Sequence, residues 1–339
     1  MKTLSIIKPQ QLVLENNERP VLKDGYAIVE IKYCGICGSD VTAFKGTNPT
    51  MKYPIHGLGH EGVGIISEVG KNDFGIKAGD RVALEPYIPD FTCNMCKEGR
   101  YNNCEHLSVA GVHTDGMMTE YFSHPLQLIH KLPDSLSFEE AALAEPLTIG
   151  IHGAIRAKVK ENDNVVIFGA GTIGLMAAFS CLSKGATPII VDINDSRLKV
   201  AEEKLKFKYT INSSKDNVVE KIKEITGGEL CDAMIECTGS QSVLSNMHEY
   251  VRNGSTIALV GWPKGLTEIN QTRIMQKELD ICPSRNSCNN FREAINLINN
   301  GDENIKKMIT KTIELEDVEN TIVDMIQNPG DYLKVVVRI

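Results

Sequence analysis

The stretch CGICGSD supplies Cys37, Ser39 and Asp40, HGLGHEGVG supplies His60 and Glu61, and ALAEPLTIGIHGA supplies Glu145. A thiolate, an imidazole and carboxylates are zinc ligands, binding at about 2.0–2.3 Å. A zinc that keeps one position open polarises an alcohol oxygen there and lowers its pKa. Taken singly, Cys37 or His60 also reads as a buried structural residue. A second set lies in EPYIPDFTCNMCKEGRYNNC, where Cys93, Cys96 and Cys104 follow C-x2-C-x7-C spacing and Asp90 stands three residues before Cys93. A closed structural zinc site wants four ligands. The segment is therefore a complete site with one oxygen ligand, a broken site, or none.

A third constellation is VVIFGAGTIG, with Gly169, Gly171 and Gly174 in G-x-G-x-x-G spacing directly after a β-branched strand and at the opening of an apolar helix. Gly169 permits the tight turn, Gly171 lets backbone approach a pyrophosphate, and Gly174 lets the helix pack close to the strand. Amides at the helix start then hold the phosphates. Asp192 ends the next strand, where a carboxylate accepts hydrogen bonds from both ribose hydroxyls and repels a 2′-phosphate; this favours NAD over NADP. Arg197 follows, either in a surface ion pair beside Asp195 or over the adenine.

The elements that must position these groups fall into two textures. Residues 1–150 read as short strands with glycine and proline punctuation, YAIVEIKYCGI, EGVGIISEVG and GDRVALEPY among them, which predicts a β-rich, barrel-like unit. From about 160, strands alternate with helices: NVVIFG, a helix ending at Gly185, PIIVD, a helix capped by Ser196, then CDAMIECTG and STIALVGW with helices between. That alternation predicts an α/β unit with a doubly wound parallel sheet. The tail adds two helices and a last strand, YLKVVVRI.

The 339 residues suggest two domains, and 42% apolar content suffices for their cores. No apolar run approaches the roughly 20 residues of a membrane span, and no secretion signal is read at the N-terminus. A net charge of −8 without a basic cluster argues against a nucleic-acid partner. Ten cysteines without a secretion signal point to the reducing cytoplasm.

GICGSD, GHEGVG, AEPLTIGIHGA and GAGTIG, in this order over nearly the whole chain, resemble the zinc-containing medium-chain dehydrogenase/reductase (alcohol dehydrogenase) superfamily; Glu145 in AEPL resembles its polyol dehydrogenase branch. The resemblance implies a GroES-like catalytic domain over 1–150 and 286–339, with a zinc lobe near 85–105, and a Rossmann cofactor domain over 151–285. The active site would lie in the cleft between them. It implies catalytic zinc on Cys37 and His60, with Glu61 and Glu145 ligating directly or through water. Ser39 would relay the substrate proton, and Asp40 would orient the site. Many members carry a histidine where Thr42 stands, so the proton would leave through the nicotinamide ribose and solvent. Relatives hold a second zinc by C-x2-C-x2-C-x7-C; here Asp90 replaces the first cysteine, which favours a structural zinc on Asp90, Cys93, Cys96 and Cys104 over an empty site. Carboxylate is the harder ligand and binds zinc less tightly than sulfur.

Thr172, Ile173 and Thr238 join the cofactor contacts. His113, Glu120 and Arg285 become substrate contacts, Arg285 being suited to a carboxylate, with an ion pair or a cofactor contact as its alternative. GVHTDG is similar to members acting on hexonates. The expected protein is an NAD- and zinc-dependent dehydrogenase of a polyol or sugar acid, forming homodimers or homotetramers. A catalytically silent regulator and a zinc-free quinone or enoyl reductase are the rival readings.

Overall fold

The strand Tyr26–Ile36 is the spine of the β-rich unit, and it is buried in consecutive runs at 27–29 and 34–36, as expected of a strand with neighbours on both edges. Glu61–Val69 pairs antiparallel along one edge. The other edge is shared: residues 26–30 pair with Tyr121–Pro125, and residues 33–36 pair with Lys334–Arg338 near the chain's end. The full sheet runs Ile309–Glu314, Lys334–Arg338, Tyr26–Ile36, Glu61–Val69, Arg81–Leu84, Ile129–Lys131. Ile6, Ile31, Leu84, Met117, Met118 and Val337 fill its core.

The computed structural model describes all residues, Met1–Ile339. The chain divides into two units. One holds Met1–Glu145, Phe291–Asn299 and Ile309–Ile339; the other holds Pro146–Asn290 and Asn300–Met308. The expected domain edges stand at 150/151 and 285/286, a few residues from these breaks, and the segment Asn300–Met308 goes with the second unit.

The second unit is a six-stranded, all-parallel sheet in the order Tyr209–Asn212, Thr187–Asp192, Asn164–Phe168, Cys231–Glu236, Val251–Leu259, Asp280–Pro283. Such strands are buried on both faces, which is why NVVIF and PIIVD read as continuous apolar runs. The order reverses between Asn164–Phe168 and Cys231–Glu236, opening a crevice at their carboxyl ends where α/β sheets take ligands. The helix Thr172–Ser183 stops before Gly185, which adopts φ +76°. The next helix, Asp195–Lys199, is capped by Asn194, not Ser196: the Asn194 side chain accepts from the Ser196 and Arg197 amides. Asn194 stands where the chain leaves the strand, so its carbonyl reaches both free N–H groups.

Candidate metal centres and dinucleotide site

Cys37 follows the strand Tyr26–Ile36 and caps the helix Gly38–Phe44. Its N–H donates to Asp40 Oδ2 at 2.8 Å, which fixes the turn. His60 stands just before Glu61–Val69. Gly35 and Glu61 are cross-strand partners, so the antiparallel pair delivers Cys37 and His60 to the same end. The Cys37 sulfur, a His60 nitrogen and a Glu61 oxygen lie within 4.8 Å of one another. Two atoms bound to one zinc at about 2.3 Å are at most about 4.6 Å apart, so the trio fits an ion with little adjustment.

Glu61 reaches this position by two devices. Gly35 leaves room: a Cβ there would lie 1.8 Å from Glu61 Oε2. Lys334 grips the carboxylate, its ammonium donating to Oε1 at 2.5 Å, to Oε2 at 2.7 Å and to the Ile36 carbonyl at 2.9 Å. Both side chains are buried. Burial opposes the Lys334 charge, but Glu61 and Cys37 outweigh it and raise its pKa.

Glu145 lies in the first turn of Ala144–Arg156 and is buried, yet falls outside the converging trio. Its carboxylate accepts a hydrogen bond from the Tyr87 hydroxyl. Burial is the main reason its pKa is pushed up to about 7; His60 works against the rise and Glu61 adds to it. Asp40 is likewise raised by burial, with His60 opposing. Ser39 Oγ, Asp40 Oδ1 and His60 Nδ1 are buried without hydrogen-bond partners. A thiol and three carboxyls crowded against one ammonium are the donor set a divalent cation satisfies. Thr42 turns its hydroxyl onto the Ser39 carbonyl at 2.9 Å.

The second cluster is complete. Ligand atoms of Asp90, Cys93, Cys96 and Cys104 all lie within 4.8 Å of one another, and no disulfide joins any of the ten cysteines. Asp90 Oδ1 accepts from the Cys93 amide at 2.9 Å and the Thr92 amide at 2.8 Å. These bonds, Cys93 first, hold its carboxyl far below the usual range. The Asp90 and His106 amides point at Cys104 Sγ, each at 3.3 Å. Anchored as an anion, Asp90 makes an oxygen ligand for the one-aspartate, three-cysteine zinc set.

In the second unit Gly169 adopts φ +107°, and a Cβ on Gly174 would meet the Gly169 carbonyl at 1.8 Å. Gly171 faces open space and caps the helix that Thr172 and Ile173 begin. Asp192 Oδ2 accepts from the Ala170 amide at 2.7 Å, bringing the acid to the glycine turn. Across the crevice, buried Glu236 accepts from the Thr238 amide at 2.7 Å. A cavity of about 450 Å³ lined by Thr238, Gly239, Ser240, Gln241, Trp262 and Lys264 opens beside it. Arg197 lies on the helix Asp195–Lys199, while Asp195 pairs with Lys215.

His113, Glu120 and Arg285 are the expected substrate contacts. His113 is exposed, and its Nδ1 accepts from the Val109 amide at 3.0 Å. Glu120 accepts from the Lys2 amide at 2.9 Å. Arg285 is exposed in the second unit. Sequence reasoning missed Tyr87, Lys334 and Gly35. Only Lys334 carried a signal: a charge opening the apolar run KVVV needs a buried partner.

Residues 23–134 match the alcohol dehydrogenase GroES-like domain and residues 172–300 the zinc-binding dehydrogenase family. The chain is 40% identical to a zinc-type alcohol dehydrogenase-like protein of Haemophilus influenzae over 99% of this chain and 98% of that one. It is 33% identical to L-galactonate-5-dehydrogenase of Escherichia coli K12 over 99% of both. It superposes on an alcohol dehydrogenase from Escherichia coli CFT073, solved with NADH, with a TM-score of 0.92 at 31% identity, over 100% of this chain and 99% of that one. With two zinc-ligand clusters and a parallel-sheet dinucleotide fold, the chain belongs to the zinc-type medium-chain alcohol dehydrogenases, oxidoreductases that use zinc and NAD.

Proposed function

We propose that the chain oxidises a secondary alcohol of a polyol or sugar acid to a ketone. The observation that carries this reading is the convergence of Cys37, His60 and Glu61 two residues from the buried, unpaired hydroxyl of Ser39. When bound, zinc polarises the alcohol oxygen and NAD accepts the hydride from its carbon. Cys37, His60 and Glu61 would hold the metal, with Glu145 a nearby carboxylate that would reach it through water. Ser39 Oγ accepts a hydrogen bond from the substrate hydroxyl and passes its proton outward by way of the cofactor ribose and solvent. Asp40 fixes the turn that presents Cys37 and Ser39. Gly169, Gly171 and Gly174, with the Thr172 and Ile173 amides, cradle the pyrophosphate; Asp192 takes the ribose hydroxyls; Arg197 and Thr238 complete the cofactor contacts.

The likeness to an L-galactonate dehydrogenase supports a polyhydroxy acid. Arg285 is proposed to hold a carboxylate, with His113 and Glu120 at hydroxyls. The open edge of Asp280–Pro283 suits association into a homodimer or homotetramer. No helix is long and apolar enough to cross a membrane, and a cytoplasmic location is proposed from the ten cysteines, none of them in a disulfide.

The test is NADH formation over a panel of hexonates and hexitols, with metal content measured on the same sample. Turnover that requires zinc supports the reading. Binding of NAD and zinc with no turnover would favour a regulator, and turnover by metal-free protein would favour a zinc-free reductase.

A further inference from the structure

Buried Glu145 is held by a group outside the trio of Cys37, His60 and Glu61. The Tyr87 hydroxyl donates to Glu145 Oε1, with both side chains about 4% exposed. An O–H to carboxylate bond shielded from water is among the stronger hydrogen bonds. Moving Glu145 onto the metal would strip a buried hydroxyl of its acceptor. Glu145 accordingly stands outside the trio of Cys37, His60 and Glu61.

Tyr87 is a rigid donor. It sits in the short strand Tyr87–Ile88, paired with Val109. Two residues earlier, buried Glu85 is fastened on several sides. Its carboxylate accepts from Tyr101 at 2.7 Å and bonds His130 at 2.9 Å. Its carbonyl lies 2.9 Å from His124 Nε2, and its amide donates to the Leu128 carbonyl at 2.9 Å. His130 is itself stacked on Phe291, centroids 4.7 Å apart. A donor on so constrained a segment cannot follow its acceptor far.

We propose that Tyr87 is a positioning residue that holds the Glu145 carboxylate off the metal. Cys37, His60 and Glu61 would then hold the metal without Glu145, leaving it accessible to the alcohol. The inference rests on the proposed reading of the Cys37 cluster as the catalytic metal site.

The test replaces zinc with cobalt(II) and reads the visible d–d bands, using Cys37→Ser to identify the bands of the ion at Cys37. In Tyr87→Phe, Glu145, without the Tyr87 hydroxyl, should join the ion. These bands should weaken and shift as coordination rises, and the double variant Tyr87→Phe/Glu145→Gln should restore the parent spectrum. KM for the alcohol should rise roughly tenfold in Tyr87→Phe, because a carboxylate now competes for its place. Cobalt bands at Cys37 that stay unchanged in Tyr87→Phe would overturn this proposal and leave the metal site standing. No cobalt band lost in Cys37→Ser would overturn both.

Discussion

Replacing Lys334 by methionine keeps most of its apolar stem and removes the charge. The structure sets the size of the effect. Lys334 satisfies both oxygens of Glu61 and the Ile36 carbonyl, and the two side chains are only 2% and 1% exposed. Removing one partner of a buried pair leaves an uncompensated charge, a loss of about 3–5 kcal/mol. At about 2–4 °C per kcal/mol for a unit of this size, the metal-free protein should melt roughly 6–20 °C lower. Zinc supplies a second positive partner to Glu61, so the loss should be smaller in the loaded protein. The assay is thermal unfolding of parent and variant, each with zinc and after chelation. A loss under about 1 kcal/mol in the metal-free protein, or an equal loss in both states, would refute the claim that Lys334 and the metal share Glu61.

Gly35→Ala places a methyl where Glu61 Oε2 now lies, 1.8 Å from the new Cβ. It should destabilise the fold by about 1–3 kcal/mol and weaken metal retention at Cys37, read by unfolding and metal analysis; retention equal to the parent would contradict the packing account. Asp90→Ala should lower zinc content by one equivalent and make the segment 85–105 sensitive to protease, while Asp90→Cys should retain the ion. His124 is held neutral by burial, with the Glu85 carbonyl opposing, and its pKa falls from 6.5 to about 3. Because the unfolded chain takes the proton more readily, the stability from neutral His124 is complete above about pH 6.5. It drains toward pH 3 at up to about 1.4 kcal/mol per unit. Urea unfolding between pH 7 and 5 should show this slope flattened in His124→Gln.

Local signals in the sequence carried the dinucleotide turn and the metal lobe. The glycines lie inside a strand–turn–helix whose positive φ at Gly169 and close approach at Gly174 only glycine allows. Asp90, Cys93, Cys96 and Cys104 lie within one short segment, so their spacing nearly fixes their geometry. The Cys37 cluster was legible as residue types but not as a geometry, because strand register brings Cys37, His60 and Glu61 together. The partners of Tyr87 and Lys334 were illegible for the same reason, although the charge opening KVVV marked Lys334 as needing one. Their partners are 58 and 273 residues away, and no periodicity encodes a contact made by tertiary packing. His113 and Glu120 were named through the family resemblance alone; each also accepts a hydrogen bond from a backbone amide, of Val109 and Lys2 respectively. The Ser196 cap failed by two positions, since Asn194 serves the same turn from the strand's end.

The most direct measurement is zinc stoichiometry alongside NADH formation with a hexonate substrate, in the parent protein and in Cys37→Ser. The account predicts that the variant loses one equivalent of zinc and all turnover while keeping the ion at Asp90, Cys93, Cys96 and Cys104. A variant that keeps its full zinc complement, or turns over like the parent, would contradict it.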